Sequence, residues 1–453
     1  MKKLLAVMLA LTMVLSMAAC GSKEPAPETT VPETNASEAP TSAGEADAPS
    51  EKEDVTIRFY NYALSEAGKA AWWEDVIADF QEKYDWITVE PIVVDYNSMI
   101  TTLTNDLAAG LSADIIYGEV TWVPSLADGG FIQEAKNVLS EDFYNGYNPE
   151  ALEPFQYQGG VYGVPHYMTP WMIFVNQDLI EGAGLKMEDF PTNEKDLKTW
   201  IETLSDFYKS NADISTIFGV ATAEVPASGS SLNSLYTSFG GELINDDGTL
   251  ADLKAEPNHT AMSETLDFCN YLISNGYTQE NQKLKDYRSA FGAGNVCMYI
   301  DESWGYAQID KDNAAAKDFT VSAPLPAMGT NGEGKSLIES NCFLLGADMD
   351  DAKKEAVDLF LQYVTTNDVT GYYINNIGLA FPVHQNMADC EISPILKGAE
   401  KGIKNVTSQT ALPSIISVQT QLASSVLNHA VNGMSIEDTI DDYIEQAEYY
   451  INQ

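Results

Sequence analysis

Basic residues are scarce in this chain of 453 residues, which has 24 Lys and Arg against 67 Asp and Glu and a formal net charge of −43. A nucleic-acid-binding surface needs clustered basic side chains to contact phosphates, so this composition argues against nucleic acid as a partner. The same shortage disfavours direct binding to anionic lipid headgroups. The acidic excess promotes solubility but does not specify a fold.

Cysteine and histidine are also rare, and neither occurs with the spacing of a metal site. Besides Cys20, the chain has Cys269, Cys297, Cys342 and Cys390, with no CxxC pair. Spacing alone leaves a disulfide among these four open, although Cys297 and Cys342 lie in apolar runs typical of a buried core. The His residues form no HxxxH or HExxH motif, so we expect no metal ion and no cofactor.

Long hydrophobic runs are missing as well, since no apolar stretch reaches the roughly 20 residues that span a bilayer. Two Lys residues precede an apolar run at residues 4–15, and the small residues Ser-Met-Ala-Ala precede Cys20. This arrangement resembles the bacterial lipobox, in which the Cys is acylated and begins the mature protein. We interpret residues 1–19 as a lipoprotein signal peptide and Cys20 as a palmitate-bearing membrane anchor. The alternative is an ordinary signal peptide with a chance Cys after it.

Residues 20–54 contain the predicted anchor and a stretch rich in Pro, Glu, Thr, Ala and Ser. Such a segment buries too little apolar surface to offset its chain entropy, so it is predicted to be a disordered acidic tether. About 400 residues remain, which is too many for one small core and indicates two lobes.

The remaining chain opens with alternating strand and helix patterns. Residues 55–60 and 87–94 alternate as strands do, and residues 114–117 form a short apolar strand. Helical spacing of apolar residues occurs between these strands, at 72–84 and 99–107. A series of strand, helix, strand, helix and strand predicts a parallel sheet covered by helices.

Further elements are predicted towards the C-terminus. A helix capped by Ser263 and a final helix opened by Ser435 are indicated by capping residues. The other predicted elements are strands at 172–176, at 296–300 and within 340–346, and helices at 194–209 and 352–365.

Several short sequence patterns follow one another in a fixed order along this part of the chain. In chain order they are Leu107-Ala-Ala-Gly110, Ala113-Asp-Ile-Ile116, Trp122-Val-Pro-Ser-Leu-Ala-Asp-Gly-Gly-Phe-Ile132, Gly160-Val-Tyr-Gly-Val-Pro165, Phe174-Val-Asn-Gln-Asp178, Phe291-Gly-Ala-Gly-Asn-Val-Cys-Met298 with Trp304 after it, and Gly378-Leu-Ala-Phe-Pro-Val383.

In order and spacing this series resembles the family 1 extracellular solute-binding proteins, the group that includes maltose-binding protein. The resemblance covers about residues 55–450. The chain departs from the family pattern in two places. Glu302 stands where a Gly two residues before the late Trp is usual, and Glu339-Ser340-Asn341 replaces a usual Gly-Gly.

The resemblance implies an α/β fold of the type II periplasmic-binding-protein kind, with two α/β lobes, a multi-strand hinge and a ligand cleft between the lobes. It places the hinge crossings after Pro165, near residues 323–326 and near Thr366. Lobe 1 would then contain residues 55–165 and 324–366, and lobe 2 would contain residues 166–323 and 367–453.

A sugar presents hydroxyl groups that need hydrogen-bond partners and C–H faces that pack on aromatic rings, so its site should combine both kinds of side chain. Such residues cluster after predicted strands, and carboxyl ends of strands face the ligand crevice in open α/β sheets. The resemblance gives Trp304 the role of stacking on the sugar, while Asp301 and Glu119 could accept hydrogen bonds. The expected ligand-binding residues are Tyr60, Asn61, Glu119, Trp122, Tyr167, Trp171, Asp301 and Trp304.

The function expected from the resemblance is capture of a carbohydrate by lobe closure and delivery to the permease subunits of an ABC importer. We expect a monomer held by its lipid anchor on the extracellular face of a bacterial, Gram-positive cell membrane. Two alternatives remain open. The same fold could bind a non-sugar solute such as a polyamine or a peptide. An exported glycoside hydrolase would need a pair of carboxylates at defined separation, and the sequence lacks a GxSxG elbow or a metal motif, so we predict no enzyme.

Overall fold

The structure is a computed structural model that describes residues 52–66, 68–245, 248–408 and 412–452. The predicted signal peptide, Cys20 and nearly all of the predicted tether lie outside the described residues. In the described part of the chain, no helix combines the length and the apolar character needed to cross a bilayer. The thiols of Cys269, Cys297, Cys342 and Cys390 are free, so these four residues form no disulfide with one another.

The strands of the described chain form two main sheets and one small hairpin. In chain order they are β1 (Val55–Asn61), β2 (Ile87–Ile92), β3 (Ile115–Glu119), β4 (Gln156–Tyr157), β5 (Gly160–Val161), β6 (Gly163–Pro165), β7 (Thr169–Asn176), β8 (Thr216–Gly219), β9 (Val296–Glu302), β10 (Thr320–Ala323), β11 (Ser336–Glu339), β12 (Asn341–Leu345) and β13 (Val406–Thr407).

Helices pack against both main sheets. They are α1 (Ala70–Lys83), α2 (Tyr96–Ala108), α3 (Val123–Asp128), α4 (Glu141–Tyr144), α5 (Pro149–Leu152), α6 (Gln177–Gly182), α7 (Glu194–Tyr208), α8 (Pro226–Ser238), α9 (Asn258–Ser274), α10 (Leu284–Gly292), α11 (Tyr306–Asp312), α12 (Asp351–Val364), α13 (Tyr372–Asn376), α14 (Ile415–Ala430) and α15 (Ile436–Ile451).

The first sheet has the strand order β2-β1-β3-β12-β6. β1 pairs in parallel with both β2 and β3, which confirms the parallel sheet predicted from the alternating pattern. β12 joins β3 and β6 in antiparallel pairs, a return of the chain that the pattern did not indicate. Phe59 of β1 packs at ring-centroid distances of 5.3 Å on Trp73 of α1 and 5.6 Å on Phe360 of α12, so these two helices close the core on this sheet.

The second sheet has the order β13-β11-β7-β9-β8, with β10 also paired to β7. β7 is buried along its whole length and pairs in antiparallel fashion with β9, β10 and β11. Phe174 of β7 stacks on Tyr299 of β9 at 5.7 Å, and Phe291 of α10 packs on the same ring at 5.1 Å. β7 is therefore the central strand around which the second core is built.

The chain passes directly between the two sheets at two places. β6 ends at Pro165 and β7 begins at Thr169, and β11 ends at Glu339 just before β12 begins at Asn341. The residue boundaries of the two lobes stay a prediction. The predicted boundaries assign strand β11 (Ser336–Glu339) to lobe 1, although β11 pairs with β7 of the second sheet.

The structure confirms one of two predicted helix starts and contradicts the other. Ser435 accepts a hydrogen bond from the Asp438 backbone N–H at 3.2 Å at the start of α15, which confirms the predicted cap. The start predicted at Ser263 is wrong because α9 already begins at Asn258. The Ser263 hydroxyl instead donates to the His259 carbonyl at 2.8 Å, a bond back along the helix that an interior Ser can make.

Candidate functional site

A cavity of about 590 Å³ lies where the two sheets meet. Its walls include residues from the carboxyl ends of β3, β9 and β11 and from the start of β7 and β12. Since both sheets supply lining residues, the cavity is the cleft between the two lobes. Its volume lies in the range typical of small-molecule sites.

Aromatic side chains form much of the cavity wall. Tyr167 and Tyr373 stack on each other at 5.4 Å with an interplanar angle of 17°. Trp171 is 2% exposed, whereas Trp304 is 44% exposed and presents a ring that a ligand can reach. The aromatic lining residues are Tyr62, Tyr96, Tyr167, Trp171, Trp304 and Tyr373.

A hydrogen-bonded chain of side chains fixes one side of the cavity. The Asn341 side-chain amide donates to the Tyr62 hydroxyl at 2.5 Å. The Tyr167 hydroxyl donates to the Asn341 amide oxygen. These contacts join residues that lie far apart in the sequence, so β12, the segment after β1 and the segment after β6 present their polar groups in fixed positions.

Carboxyl groups are the main charged groups in the cavity. Glu66, Glu119, Glu302 and Glu339 line it, together with the ammonium group of Lys69. The Lys69 Nζ lies 2.6 Å from a carboxylate oxygen of Glu66, so this pair is neutral as a unit. Within the described residues, no group of His, Cys, Asp and Glu side chains is placed to hold a metal ion.

Glu119 is a carboxyl group with an unusual acidity. Burial raises its pKa from 4.5 to about 7, and the neighbouring carboxylate of Glu339 adds to this rise. A hydrogen bond from Tyr96 and the charge of Lys69 oppose it. Glu119 therefore changes its protonation state close to neutral pH, where its two forms offer a ligand different hydrogen-bonding roles.

This raised pKa predicts a pH-dependent stability. Between the unfolded pKa near 4.5 and the folded pKa of about 7, the folded protein holds a proton that the unfolded chain releases, so stability falls as pH rises through this window. We expect Glu119→Gln to equal the wild type at pH 4 and to exceed its stability above pH 7 by on the order of 2 kcal/mol. Urea unfolding across pH measures this, and the exposed Glu82→Gln should show no such divergence. Parallel curves for Glu119→Gln and the wild type would contradict the assignment.

Glu302 and Glu339 form a second acidic feature of the cavity. Burial raises the pKa of both carboxyl groups, and the charge of Glu339 raises the pKa of Glu302 further. The Trp171 indole N–H donates to a Glu339 carboxylate oxygen at 3.2 Å. Two neighbouring carboxyl groups away from water cannot both ionise easily, so ionisation of one opposes ionisation of the other.

An ion pair beneath Trp304 supports this part of the site. Arg288 of α10 donates to Asp301 of β9 through Nε at 2.8 Å and Nη2 at 2.7 Å. The guanidinium carbon lies 4.3 Å from the centre of the Trp304 ring. Gly305 is required here, because a Cβ atom at this position would lie 2.3 Å from an Asp301 carboxylate oxygen.

The structure brings together four of the eight residues predicted from the sequence: Glu119, Tyr167, Trp171 and Trp304 all line the cavity. Their roles in binding stay predictions.

The other four predicted residues do not line the cavity, and each has a local structural contact. The Tyr60 hydroxyl donates to Asp106 at 2.9 Å, and the Asn61 side chain caps the turn that follows β1. Trp122 packs near Tyr62 at a centroid distance of 6.3 Å. Asp301 is fully buried against Arg288, one layer behind the cavity wall.

Several lining residues were missed by sequence reasoning. Glu339 and Asn341 lie at the departure from the usual Gly-Gly, and polar residues replacing glycines at a predicted crossing are a signal that could have identified them. Tyr96, Tyr373 and Gln419 lie on helices whose orientation the sequence does not give. Lys69 precedes α1, where its proximity to Glu119 depends on the folded first sheet.

The two sheets, the direct chain crossings between them and the cavity lined by both define a two-lobed α/β solute-binding protein. The chain belongs to the family of bacterial extracellular solute-binding proteins, whose family model matches residues 75–401. This family consists of solute-binding proteins and not of enzymes, which agrees with the prediction from the sequence.

Individual relatives are distant in sequence but similar in fold. A binding protein of Brucella abortus (strain 2308) is 25% identical over 363 residues, which cover 76% of this chain and 84% of that protein. A maltotriose-binding protein of Pyrococcus abyssi (strain GE5 / Orsay) is 22% identical over 312 residues, covering 66% of this chain and 61% of that protein. The crystal structure of the cyclic alpha-maltosyl-1,6-maltose binding protein from Arthrobacter globiformis matches with a TM-score of 0.73 at 17% identity, covering 88% of this chain and 99% of that one. This likeness confirms the predicted two-lobed α/β fold.

Proposed function

We propose that this protein captures a carbohydrate in the cleft between its lobes and delivers it to the permease subunits of an ABC importer. One observation carries the proposal: the rings of Tyr167, Trp171 and Trp304 line the same cavity as the carboxyl groups and the Asn341 amide. Rings can pack on the C–H faces of a sugar while the polar groups pair with its hydroxyls. Two of the similar proteins are named for maltose-type oligosaccharides, which supports the same ligand class.

In this proposal the protein acts as a lipid-anchored monomer on the extracellular side of the membrane. The acyl chains on Cys20 would hold the acidic tether, and the tether would hold the lobes near the permease. Closure of the lobes around the sugar would exclude water and strengthen its hydrogen bonds. Metabolic labelling with a palmitate analogue should mark the wild type and leave Cys20→Ser unlabelled, and equal labelling of both would rule out this anchor.

The ligand is tested with a thermal-shift screen against mono- and oligosaccharides, with peptides and spermidine as controls. A ligand that binds only the folded state raises its stability by mass action, by about 2.7 kcal/mol at a hundred times its dissociation constant. We expect at least one sugar to raise the melting temperature and to reduce the radius of gyration in small-angle X-ray scattering. Stabilisation by spermidine or peptides alone would reject the carbohydrate, and unchanged scattering with a bound sugar would reject closure.

A further inference from the structure

The cavity carries more carboxyl groups than positive charges. Among the described lining residues, the Lys69 ammonium is matched by Glu66 at 2.6 Å, which leaves Glu119, Glu302 and Glu339 beyond this pair. A neutral sugar hydroxyl donates one hydrogen bond and brings no charge. The excess therefore favours a ligand that carries positive charge as well as hydroxyl groups.

The register of the second sheet places two of these carboxyl groups side by side. On β7, Trp171 lies opposite Glu302 of β9 and Thr169 lies opposite Glu339 of β11. Directly opposed residues extend to the same face of a sheet, and residues two apart on one strand share a face. Glu302 and Glu339 therefore flank the Trp171 ring on the face that lines the cavity.

Glu302 lacks a donor for one of its oxygens. Its side chain is buried, with the residue 5% exposed, and its Oε2 has no partner at ordinary hydrogen-bond geometry among the residues that the structure describes. The Trp304 and Glu339 side chains are the polar neighbours that interact with this carboxyl group. Arg288 does not supply a donor, because it donates to Asp301 and its Nη2 lies 4.0 Å from the other oxygen of Glu302. A buried carboxylate oxygen without a donor is costly, so a donor from the ligand would be strongly favoured.

We propose that the carbohydrate bound in this cleft carries a protonated amine, which sits between Glu302 and Glu339. This inference rests on the proposed function and specifies its ligand class as an amino sugar. An ammonium group has three donors, enough to reach both carboxyl groups. The Trp171 and Trp304 rings line the same cavity and can add cation–π attraction.

The charged groups around the proposed ammonium position are consistent with this assignment. On the second sheet, Arg288 donates its hydrogen bonds to Asp301, so its charge is matched there. It lowers the pKa of Glu302 and of Glu339 only through its charge at a distance. Across the cleft, Glu119 adds a further carboxyl group, and the Lys69 charge is offset by Glu66. An ammonium group between Glu302 and Glu339 would favour ionisation of both carboxyl groups, so a ligand that arrives already protonated should release up to about one proton from the pair on binding.

The test is titration calorimetry at pH 5.5, below the pKa of a sugar amine, so that the free amine is already protonated. It uses three trimers on the same β-1,4 backbone: a glucosamine trimer, its N-acetylated counterpart and cellotriose. D-Glucosamine, D-galactosamine and their N-acetyl forms extend the series to single sugars, with maltotriose and spermidine alongside. We expect an amino sugar to bind at least tenfold more tightly than its N-acetylated counterpart. Buffers of different ionisation enthalpy should reveal release of up to about one proton for the amino sugar alone.

Two variants test whether Glu302 and Glu339 cause the preference for the amino sugar. Glu302→Gln and Glu339→Gln keep the side-chain volume and should each reduce the preference for the amine to less than about threefold, while the exposed Glu82→Gln should leave it unchanged. Thermal unfolding checks that each variant folds. If only one of the two variants folds, that variant is enough for the test. This inference is overturned if a neutral sugar binds as tightly as the amino sugars, or if no amino sugar binds. The proposed carbohydrate binding still stands in either case, provided that neutral sugars bind. Binding of spermidine without any sugar overturns the proposed function itself.

Discussion

Replacing Arg288 with Met is expected to lower the free energy of unfolding by about 3–5 kcal/mol, because it leaves the buried carboxylate of Asp301 without its cationic partner. Asp301 is fully buried and accepts two hydrogen bonds from Arg288, at 2.8 and 2.7 Å. The Tyr299 hydroxyl and the Glu302 backbone N–H remain as donors, each at 2.9 Å, but neither carries a charge. Urea unfolding of the wild type and the variant measures the difference.

A double variant separates the charge from the packing of the Arg side chain. Arg288→Met combined with Asp301→Asn removes the unpaired charge and should recover part of the lost stability. Lys186→Met is the matched control, since its ammonium forms an exposed pair with Glu188 at 3.4 Å, and it should change stability by less than about 0.5 kcal/mol. A loss below about 1 kcal/mol for Arg288→Met would show that the ion pair is not a main support of this lobe.

Arg288→Met should also change the properties of the cavity. Arg288 lies beneath the Trp304 ring, and its charge lowers the pKa of Glu302 against the effect of burial. Without the guanidinium, Glu302 would hold its proton to higher pH, and Trp304 would lose the surface on which it rests. A stability change and a weaker ligand affinity are therefore expected together at this position.

The first sheet could be predicted from the sequence because its signals are local. Strand β1 and helix α1 each show the period of their own structure, and alternation of strands with helices requires parallel neighbours. The antiparallel addition of β12 could not be predicted in this way. It depends on pairing between Asn341 and Glu119, residues far apart in the chain, which no local period reports.

Helix α8 shows why part of the second lobe escaped prediction. Its sequence is rich in Ser, has one Gly and carries no amphipathic period, yet most of it is buried. Gly229 explains the composition, since a Cβ atom there would lie 2.7 Å from the backbone of Gln419 in α14. Small residues allow the two helices to approach closely. The same approach brings Ser230 and Gln419 to the cavity wall, where no sequence motif marks them.

The ligand-binding residues could also be predicted only in part. Residues at the carboxyl ends of strands, such as Glu119, reach the cavity because strand direction fixes where they lie. Asp301 and Glu302 are neighbours on β9, and the alternation of a strand sends their side chains to opposite faces. The prediction selected Asp301, whereas Glu302 lines the cavity, because the sequence does not reveal which face of β9 is turned towards the cleft.

Trp304→Ala is expected to weaken binding of the carbohydrate by about thirtyfold, or roughly 2 kcal/mol, because it removes an aromatic face on which the sugar would pack. Trp304 is 44% exposed, so loss of its side chain should cost little folding stability. This distinguishes Trp304 from Trp171, which is 2% exposed and whose truncation would also open a void in the core.

The measurement is titration calorimetry with the tightest sugar from the screen, on variants whose thermal unfolding matches the wild type. Trp304→Phe keeps a flat ring and should recover part of the affinity, because a smaller aromatic face still packs on the sugar. Phe207→Ala removes an aromatic ring that is exposed but lies outside the cavity, and it should leave binding unchanged. If Trp304→Ala folds normally and binds the sugar as tightly as the wild type, Trp304 does not stack on the ligand, and any aromatic packing must come from the other rings that line the cavity.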